Sequence, residues 1–302
     1  MAFSVTQPNF NGKAAGFFIS AALKEATSLE YLTMIENIKY KSNVQTMAGS
    51  NLVVDNACNY VSAGNLALEE KTLEPKRLML NLDICKEELT TSYEALQMRA
   101  GVDGNPSVTF EDYVISYLGE IIANATEDSI WAGTAVAGQF NGFVGAVTGY
   151  LLPGVDGTVV QDAAAGAYTA ATIIGELQAA VTAIPSTTLG KDDLHIYMSQ
   201  KTYQYYISAV STLGYVNAYS MNGDYVPMFE GYKLAVCSGM VENQVVIAQK
   251  SNMFFGTDLL SDSTRINLLD MNPVNGSDVI RCVARYSAGV QTGIGADIVR
   301  QS

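Results

Sequence analysis

The sequence predicts an α+β protein, and three features carry that prediction. Two stretches with extended character, 35–42 and 73–85, flank a polar segment that contains Gly49 and Gly64, so the chain makes one long excursion from its core and returns. A single strong amphipathic helix is expected at 109–125, and a run of strands closes the chain. A long arm with little apolar content to bury against its own domain favours a protein built for neighbouring copies over one built for a substrate.

Composition and charge set the outer bounds. The 302 residues are 48% apolar, which allows a sizeable core in one large or two medium units. Lys and Arg number 17 against 30 Asp and Glu, and the net charge of −13 disfavours general binding to a phosphate backbone.

Cysteine, histidine and hydropathy patterns predict no cofactor and no membrane partner. The four cysteines lack CxxC spacing and His195 is the only histidine, so a zinc site is not expected. The N-terminal segment lacks the basic start and unbroken apolar stretch of a signal peptide. No window reaches about 18 uncharged apolar residues, the length that spans a bilayer.

The returning stretch of the excursion is predicted to be a strand. Pro75 suits its beginning, where no ladder donor is needed. Apolar side chains take every second position after it, which is the period of a strand with one covered face (Leu78, Leu80, Leu82 and Ile84). The tip between residues 48 and 65 is expected to be loop-like.

The helix predicted at 109–125 has both a start signal and an apolar face. Thr109 and Asp112 resemble a capping box, and Glu111 lies where the helix dipole favours negative charge. Trp131-Ala132-Gly133 is expected to end the unit. The apolar residues recur at helical spacing (Phe110, Val114, Tyr117, Leu118, Ile121, Ile122 and Ala125).

An α/β region follows, and then strands. A helical stripe from Ile173 is stopped by Pro185, and Ser199 is placed to cap a second helix, 201–210. Strands are predicted at 194–198, 232–237, 245–249, 253–255, 265–269 and 279–286.

None of the usual active-site patterns is present, and no enzymatic activity is predicted. There is no G-x-x-x-x-G-K-[ST] and no G-x-S-x-G. His195 lacks an evident orienting partner and is predicted to be a packed or surface histidine. Asp192 with Asp193, and Asp258 with Asp262, are interpreted as solvated turn acids.

The order of these elements resembles the major capsid proteins of tailed phages, which share the Hong Kong 97 fold. The resemblance covers about residues 14–300, by layout and short patterns rather than by one signature. Residues 38–82 are similar to the family's extended loop, and 110–125 with 128–133 to its spine helix and exit. Further similar patterns lie in the step to the axial domain, in that domain and at the end of the chain (140–143, 194–203, 229–234, 250–258 and 286–293).

The resemblance implies a division of the chain. An N-terminal arm and short helix would take 1–37, and the extended loop 38–82. A peripheral domain with the spine helix 109–125 would combine 83–140 and 262–302, and an α/β axial domain, 141–261, would be inserted in it.

The resemblance also implies an architectural role. Copies would assemble as pentamers and hexamers into an icosahedral shell around double-stranded DNA, with the extended loop over a neighbouring subunit. The implied partners are the chain itself, a portal and packaged DNA by weak contact only. About 35 residues precede the excursion, so a separate scaffolding protein is expected. The implied location is the virion, after assembly in the cytoplasm of a host bacterium.

Six residues are predicted to contact other subunits: Phe10, Phe17 and Phe18 in the arm, and Tyr60, Lys76 and Arg77 in the loop and its returning strand. No catalytic, cofactor or metal residue is proposed. Some family members cross-link lysine to asparagine, but Lys71 and Lys76 are interpreted as ordinary solvated lysines.

Three alternatives remain open at the level of sequence. An encapsulin-type nanocompartment shell has the same fold and differs by its neighbouring genes. A soluble α+β enzyme or binding protein with an unusual β-arm would be a compact monomer. A phage tail tube also uses an extended loop, but the long helix argues against it because such tubes are mostly β.

Overall fold

The computed structural model describes residues 27–50, 53–56, 58–59, 64–86, 108–152, 160–161, 167–213, 227–258 and 266–301. Its helices and mixed sheets form the α+β fold that the sequence predicts. A 3-10 turn, Thr27–Tyr31, precedes the first strand. The helices are α1 (Val108–Ala132), α2 (Ile173–Thr182), α3 (Gln200–Thr212) and α4 (Asn272–Asn275). The strands are β1 (Thr33–Ile35), β2 (Ser42–Ser50), β3 (Asn65–Leu73), β4 (Lys76–Cys85), β5 (Val160–Gln161), β6 (Leu194–Ser199), β7 (Met228–Phe229), β8 (Tyr232–Cys237), β9 (Val245–Gln249), β10 (Met253–Thr257), β11 (Ile266–Asp270), β12 (Val279–Thr292) and β13 (Val299–Gln301).

Strand β12 organises the central sheet. Along one edge it pairs antiparallel with β4, from Val279 opposite Cys85 to Ala288 opposite Lys76. Along the other edge it pairs with β11 and then with β10, and β1 adds to β10 in parallel. One strand of fourteen residues therefore contacts the three others that lie nearest to it in this five-stranded sheet.

The excursion is a β-hairpin. Strands β2 and β3 pair antiparallel over nine positions, from Ser42 opposite Leu73 to Ser50 opposite Asn65. Its β3 strand leads through Glu74 and Pro75 directly into β4. The chain thus returns from the excursion in two strands: β3, which is one half of the hairpin, and β4, which belongs to the central sheet.

The second sheet has the order β5-β13-β9-β6-β8-β7 and carries α2 and α3. Strand β6 is buried at every position, which suits a strand covered on both faces. The predicted cap is confirmed, because the backbone N–H of Thr202 donates to Ser199 Oγ at 3.2 Å. Apolar side chains from both helices and from β6, β8 and β9 form one cluster, including Ile173, Leu177, Ile196, Met198 and Leu234.

The main core lies between α1 and the central sheet. Leu118, Ile122 and Trp131 of the helix pack with Phe255 of β10 and Val290 of β12 in one buried cluster. The described residues contain no helix that is both long enough and apolar enough to cross a membrane.

Helix α1 continues through residues 126–132, so the predicted end at Ala125 is wrong. Most of the stretch 128–133, interpreted as the exit, is helical up to Ala132. Thr126, Glu127 and Ser129 are buried in the helix, and Ile130 and Trp131 have no exposed surface. The chain then folds back, and the N–H groups of Phe143 and Val144 donate to the carbonyls of Ile130 and Trp131 at 2.8 Å. These bonds satisfy helix-end carbonyls that would otherwise be unpaired.

Most predicted strands are confirmed within two residues, and β12 is the exception. It runs on from Tyr286 to Thr292, through Ser287, Ala288 and Gly289. These small residues have weak strand propensity. They continue the strand because β10 pairs with them on one edge and the start of β4 pairs with them on the other.

We predict that Ser199→Ala destabilises the second sheet's α3 helix by about 1 kcal/mol, because the cap on the Thr202 N–H is lost. Ser208→Ala is the matched control, since Ser208 is exposed on the same helix. Urea unfolding of the two variants measures the difference. Equal stabilities would contradict the capping role.

Candidate assembly surfaces

The root of the hairpin is packed tightly onto the central sheet. Leu73 is fully buried and Ile38 nearly so. A Cβ added to Gly256 of β10 would lie 2.7 Å from Leu73 Cδ2 and 2.8 Å from Ile38 Cδ1. A side chain at this position would force the ends of the Leu73 and Ile38 side chains to shift, so glycine allows both residues to approach β10 closely.

A second glycine, Gly289, lets the connection between β3 and β4 pass close to β12. A Cβ on Gly289 of β12 would lie 3.0 Å from the carbonyl oxygen of Glu74 and 3.0 Å from Cα of Pro75. The neighbouring Gln291 donates through Nε2 to the carbonyl of Thr72 at 2.9 Å. The bend at the root therefore lies directly against β12.

Two exposed ion pairs flank this root. Lys39 Nζ lies 2.8 Å from Asp258 Oδ1, and Lys41 Nζ lies 2.9 Å from Glu74 Oε2. Exposed pairs of this kind contribute little to stability, because water and salt screen them. The packing of Leu73 and Ile38 consequently does more than these ion pairs to fix the direction of the hairpin.

Lys76 binds within its own chain. Its ammonium donates to the carbonyls of Ala135, Val136 and Gln139, at 2.9, 2.8 and 2.8 Å. These carbonyls belong to the turn after α1, where Ala135 has a φ of 59°. Lys76 thus holds that turn to the start of β4, and the interpretation of Lys76 as an ordinary solvated lysine is wrong. This contact could not be predicted from the sequence, because every residue has a backbone carbonyl and residue identity does not show which ones a lysine will contact.

One face of the hairpin is apolar and uncovered. Met47 lies opposite Leu68, and Leu66 lies two residues away on the same face. Their exposed fractions are 65%, 56% and 57% respectively. Large apolar side chains grouped on an exposed surface are typical of a protein contact.

The same face carries an acidic group nearer the root. Glu70 accepts hydrogen bonds from Gln45 Nε2 at 2.7 Å and from Asn43 Nδ2 at 3.3 Å. Glu69, its neighbour, points to the opposite face together with Ala67 and Lys71.

A groove of about 760 Å³ lies on the face of the central sheet formed by β4, β11 and β12. Met79, Val283 and Leu269 line it with apolar side chains, and Arg77 and Arg285 are exposed at its border. Neither arginine forms an ion pair within the described part of the chain. The predicted contact residue Arg77 therefore lies on an accessible surface.

The chain before β1 is tied to α1 by a buried polar cluster. Glu127 accepts hydrogen bonds from the N–H and Oγ of Ser28 and from the N–H of Gly239. Trp131 Nε1 in turn donates to Ser28 Oγ at 2.6 Å. The cluster joins the Thr27–Tyr31 turn, the long helix and the loop after β8.

Four of the predicted contact residues cannot be placed. Phe10, Phe17, Phe18 and Tyr60 lie outside the described residues, as does Asp262.

The titratable groups that the sequence singled out have structural partners. His195 is buried, its Nδ1 lies 2.8 Å from the carbonyl oxygen of Asp193, and its ring centroid lies 5.6 Å from that of Tyr31. The predicted packed histidine is thereby confirmed.

The interpretation of Asp193 and Asp258 as solvated turn acids is wrong. Asp193 accepts from Gln249 Nε2 at 2.9 Å and from Ser251, and Asp258 pairs with Lys39. Burial raises the pKa of Asp193, but the hydrogen bonds from Ser251 and Gln249 outweigh it and bring that pKa below its ordinary value.

The cysteines and acids do not form a metal site in the described ranges, where no group of three or more His, Cys, Asp or Glu converges. All four cysteines are free thiols. Burial raises the pKa of Cys282 to about 11 and also raises that of Cys237, so both thiols stay protonated at neutral pH.

Comparison with solved structures identifies the fold. The capsid of a native GTA particle is 13% identical, with a TM-score of 0.62 over 91% of this chain and 89% of that chain. The satellite phage P4 procapsid, which includes a size determination protein, is 10% identical, with a TM-score of 0.56 over 95% and 89%. A virus-like particle from Pyrococcus furiosus is 11% identical, with a TM-score of 0.54 over 95% and 96%.

No protein-family model matches the sequence, and no curated protein does.

We predict that Gly256→Val destabilises the fold by about 1–3 kcal/mol, because the added atoms collide with Leu73 and Ile38. Gly175→Ala is the control, since a Cβ there meets nothing within 4 Å. Urea unfolding reports the stability, and amide exchange at Thr72 and Leu73 reports whether the root has loosened. A Gly256→Val protein with unchanged stability and exchange would contradict the packing argument.

We also predict that Lys76→Met costs about 1–3 kcal/mol, because three carbonyls lose a charged donor. Lys201→Met, which removes only an exposed and solvent-screened pair with Glu242, is expected to lower the stability much less. Thermal unfolding in the same buffer compares them, and equal losses would count against a special role for Lys76.

The fold, the hairpin and the high coverage of these particle structures agree: the chain has the Hong Kong 97-like capsid fold.

Proposed function

We propose that this protein is the major subunit of an icosahedral shell, assembled from pentamers and hexamers around double-stranded DNA. The observation that carries the proposal is the hairpin, which is firmly rooted at Leu73 yet presents Met47, Leu66 and Leu68 to solvent. An isolated chain gains nothing from that exposure, whereas a neighbouring copy can cover it.

The fold supports a repeated assembly rather than a catalytic role. The matched structures are capsids and a virus-like particle, and the matches cover 91–95% of this chain. Stable interfaces of this kind bury more than about 1,200 Å² and depend on aromatic and apolar anchors. The buried polar groups described above serve packing, which fits a structural protein.

The proposed partners follow from this role. They are further copies of the chain, a separate scaffolding protein and a portal, with packaged DNA held only by weak contact because the chain carries −13 charges. The proposed location is the virion, after assembly in the host cytoplasm. Within the subunit we propose 141–261 as the axial domain and 83–140 with 262–302 as the peripheral domain. We retain Phe10, Phe17, Phe18, Tyr60 and Arg77 as contact residues.

The test is assembly of the purified chain, with and without a candidate scaffolding protein. Light scattering and negative-stain images are expected to show closed shells or rings of five and six. A chain that stays a 32.3 kDa monomer with the scaffolding protein present would contradict the proposal. DNA protected from nuclease inside particles would favour a phage shell over a protein compartment.

We predict that replacing residues 46–69 by an Asn-Gly turn abolishes closed shells and leaves a folded subunit. Gln45 and Glu70 lie opposite each other, so a two-residue turn can join them and keep the hairpin root. Circular dichroism and sedimentation velocity check folding and size. Normal particles from this variant would show that the hairpin is not needed for assembly.

A further inference from the structure

A separate groove, called the α3 groove below, lies beside the first two turns of helix α3. Its volume is about 620 Å³. Tyr203 and Ile207, one turn apart on α3, form part of one wall, and Ser238 of the loop after β8 belongs to the other. Met240 of the same loop also lines the groove and is buried, so the groove has an apolar base between a helix and a loop.

The helical wall of the α3 groove is a single face of α3. Its lining residues have the spacing i, i+3, i+4, i+7, which places them on one side of a helix (Gln200, Tyr203, Gln204 and Ile207). The ring of Tyr203 stacks on that of the buried Tyr206, with centroids 6.4 Å apart, so packing on the far side of α3 holds this wall in place. A groove walled by one helix face is the kind of surface that receives a second amphipathic helix.

The described part of the chain begins at the edge of this groove. Thr27 Oγ1 accepts a hydrogen bond from the backbone N–H of Ser238 at 3.2 Å, and it lies 3.3 Å from Ser238 Oγ. Because Ala26 is bonded to Thr27, the two Cα atoms are about 3.8 Å apart. The residues that precede Thr27 therefore start within one residue's length of the groove wall.

These preceding residues have an apolar pattern that matches the groove. Apolar residues recur there with the spacing i, i+3, i+4, i+7 of one helix face (Ile19, Ala22, Leu23 and Ala26). The polar residues Ser20, Lys24 and Glu25 fall outside this face. The segment 19–26 and the wall 200–207 are both eight residues long, which is about 11 Å in a helix.

The strand pairing sets the direction in which the segment would run. Ser199 of β6 pairs with Cys237 of β8, so Ser238 lies beside the N-terminal end of α3. A segment that leaves Thr27 at this point and follows α3 is antiparallel to it. In that direction Leu23 meets the middle of the wall at Gln204, and Ile19 meets its far end at Ile207.

We propose that the α3 groove is the docking site of residues 19–26 of the same chain. The face that contains Ile19 and Leu23 packs on Tyr203, Ile207 and Met240. The chain's own segment is the favoured occupant because it is joined to the groove without a linker, which gives it a high effective concentration there. The docking concerns the single subunit and does not depend on shell formation.

A disulfide between the segment and the wall tests the docking. The full chain carries Leu23→Cys and Gln204→Cys, with Cys58→Ser to remove an exposed thiol, and is oxidised mildly in dilute solution. A disulfide needs Cα atoms within about 7 Å of each other, so this pair is expected to link within one chain. Mass spectrometry of unreduced peptides identifies the bond, and non-reducing electrophoresis shows whether it joins one chain or two.

Matched variants separate docking from chance contact. Glu25→Cys with Gln204→Cys is expected to give at least about fivefold less linked chain, because residue 25 lies about 200° around a helix from residue 23. Ile207→Asp, added to the first pair, is expected to reduce linkage at least about threefold, because a carboxylate would be buried under Ile19. Ser208→Asp, at an exposed position on the same helix, is expected to leave linkage unchanged. Circular dichroism confirms that each variant folds.

Equal linkage in the two cysteine pairs, or linkage that Ile207→Asp leaves unchanged, would overturn the docking. Linkage found only between two chains would also overturn it, and would assign the groove to the segment of a second copy. The measurement is made on subunits before assembly, so its failure leaves the proposed function standing. The proposed function fails separately, when the wild type forms no rings or shells with a scaffolding protein present.

Discussion

The packing of the hairpin root against β10 and β12 is the constraint on which the rest of the structure depends. Leu73 and Ile38 reach Gly256, and the bend at Glu74 and Pro75 rests on Gly289. At each point the missing side chain is what allows the approach. A two-stranded ribbon is only marginally stable by itself in water, so its direction is set where it joins the sheet. The long β12 strand supplies that surface and also pairs with β4, which continues from the hairpin.

The same logic applies at the other end of the core. Glu127 is buried, and burying a carboxylate is costly unless it is hydrogen-bonded. Donors from Ser28 and Gly239 satisfy it, and Trp131 completes the cluster through Ser28. Three segments distant in sequence, the Thr27–Tyr31 turn, α1 and the loop after β8, are thereby held together at one point.

The sequence predicted the elements whose apolar residues recur at a clear helical or strand spacing. It missed those that depend on contacts with residues distant in the sequence. The bounds of β8 and β9 and the cap at Ser199 were predictable because apolar runs and capping residues are local signals. The last turns of α1 were not, because Glu127 in these turns is held by hydrogen bonds from Thr27 and Ser28, about 100 positions away in the sequence. Lys76 was singled out for contacts between subunits, yet its carbonyl partners within the chain leave no mark in the sequence. The apolar hairpin face became evident only once the register placed Met47 opposite Leu68.

In the proposed shell, each subunit must be folded before it binds other copies. The contacts that stabilise its fold must therefore differ from those that bind a neighbouring copy. Here the former are buried around Trp131 and β12, whereas the apolar side chains of the hairpin face are left to solvent. The net charge of −13 opposes contact between copies, since like-charged surfaces repel. Association therefore needs apolar area to supply affinity and local opposite charges to select the right orientation. Met47, Leu66 and Leu68 offer exposed apolar area, and Arg77 and Arg285 are exposed charges opposite in sign to the net charge of the chain.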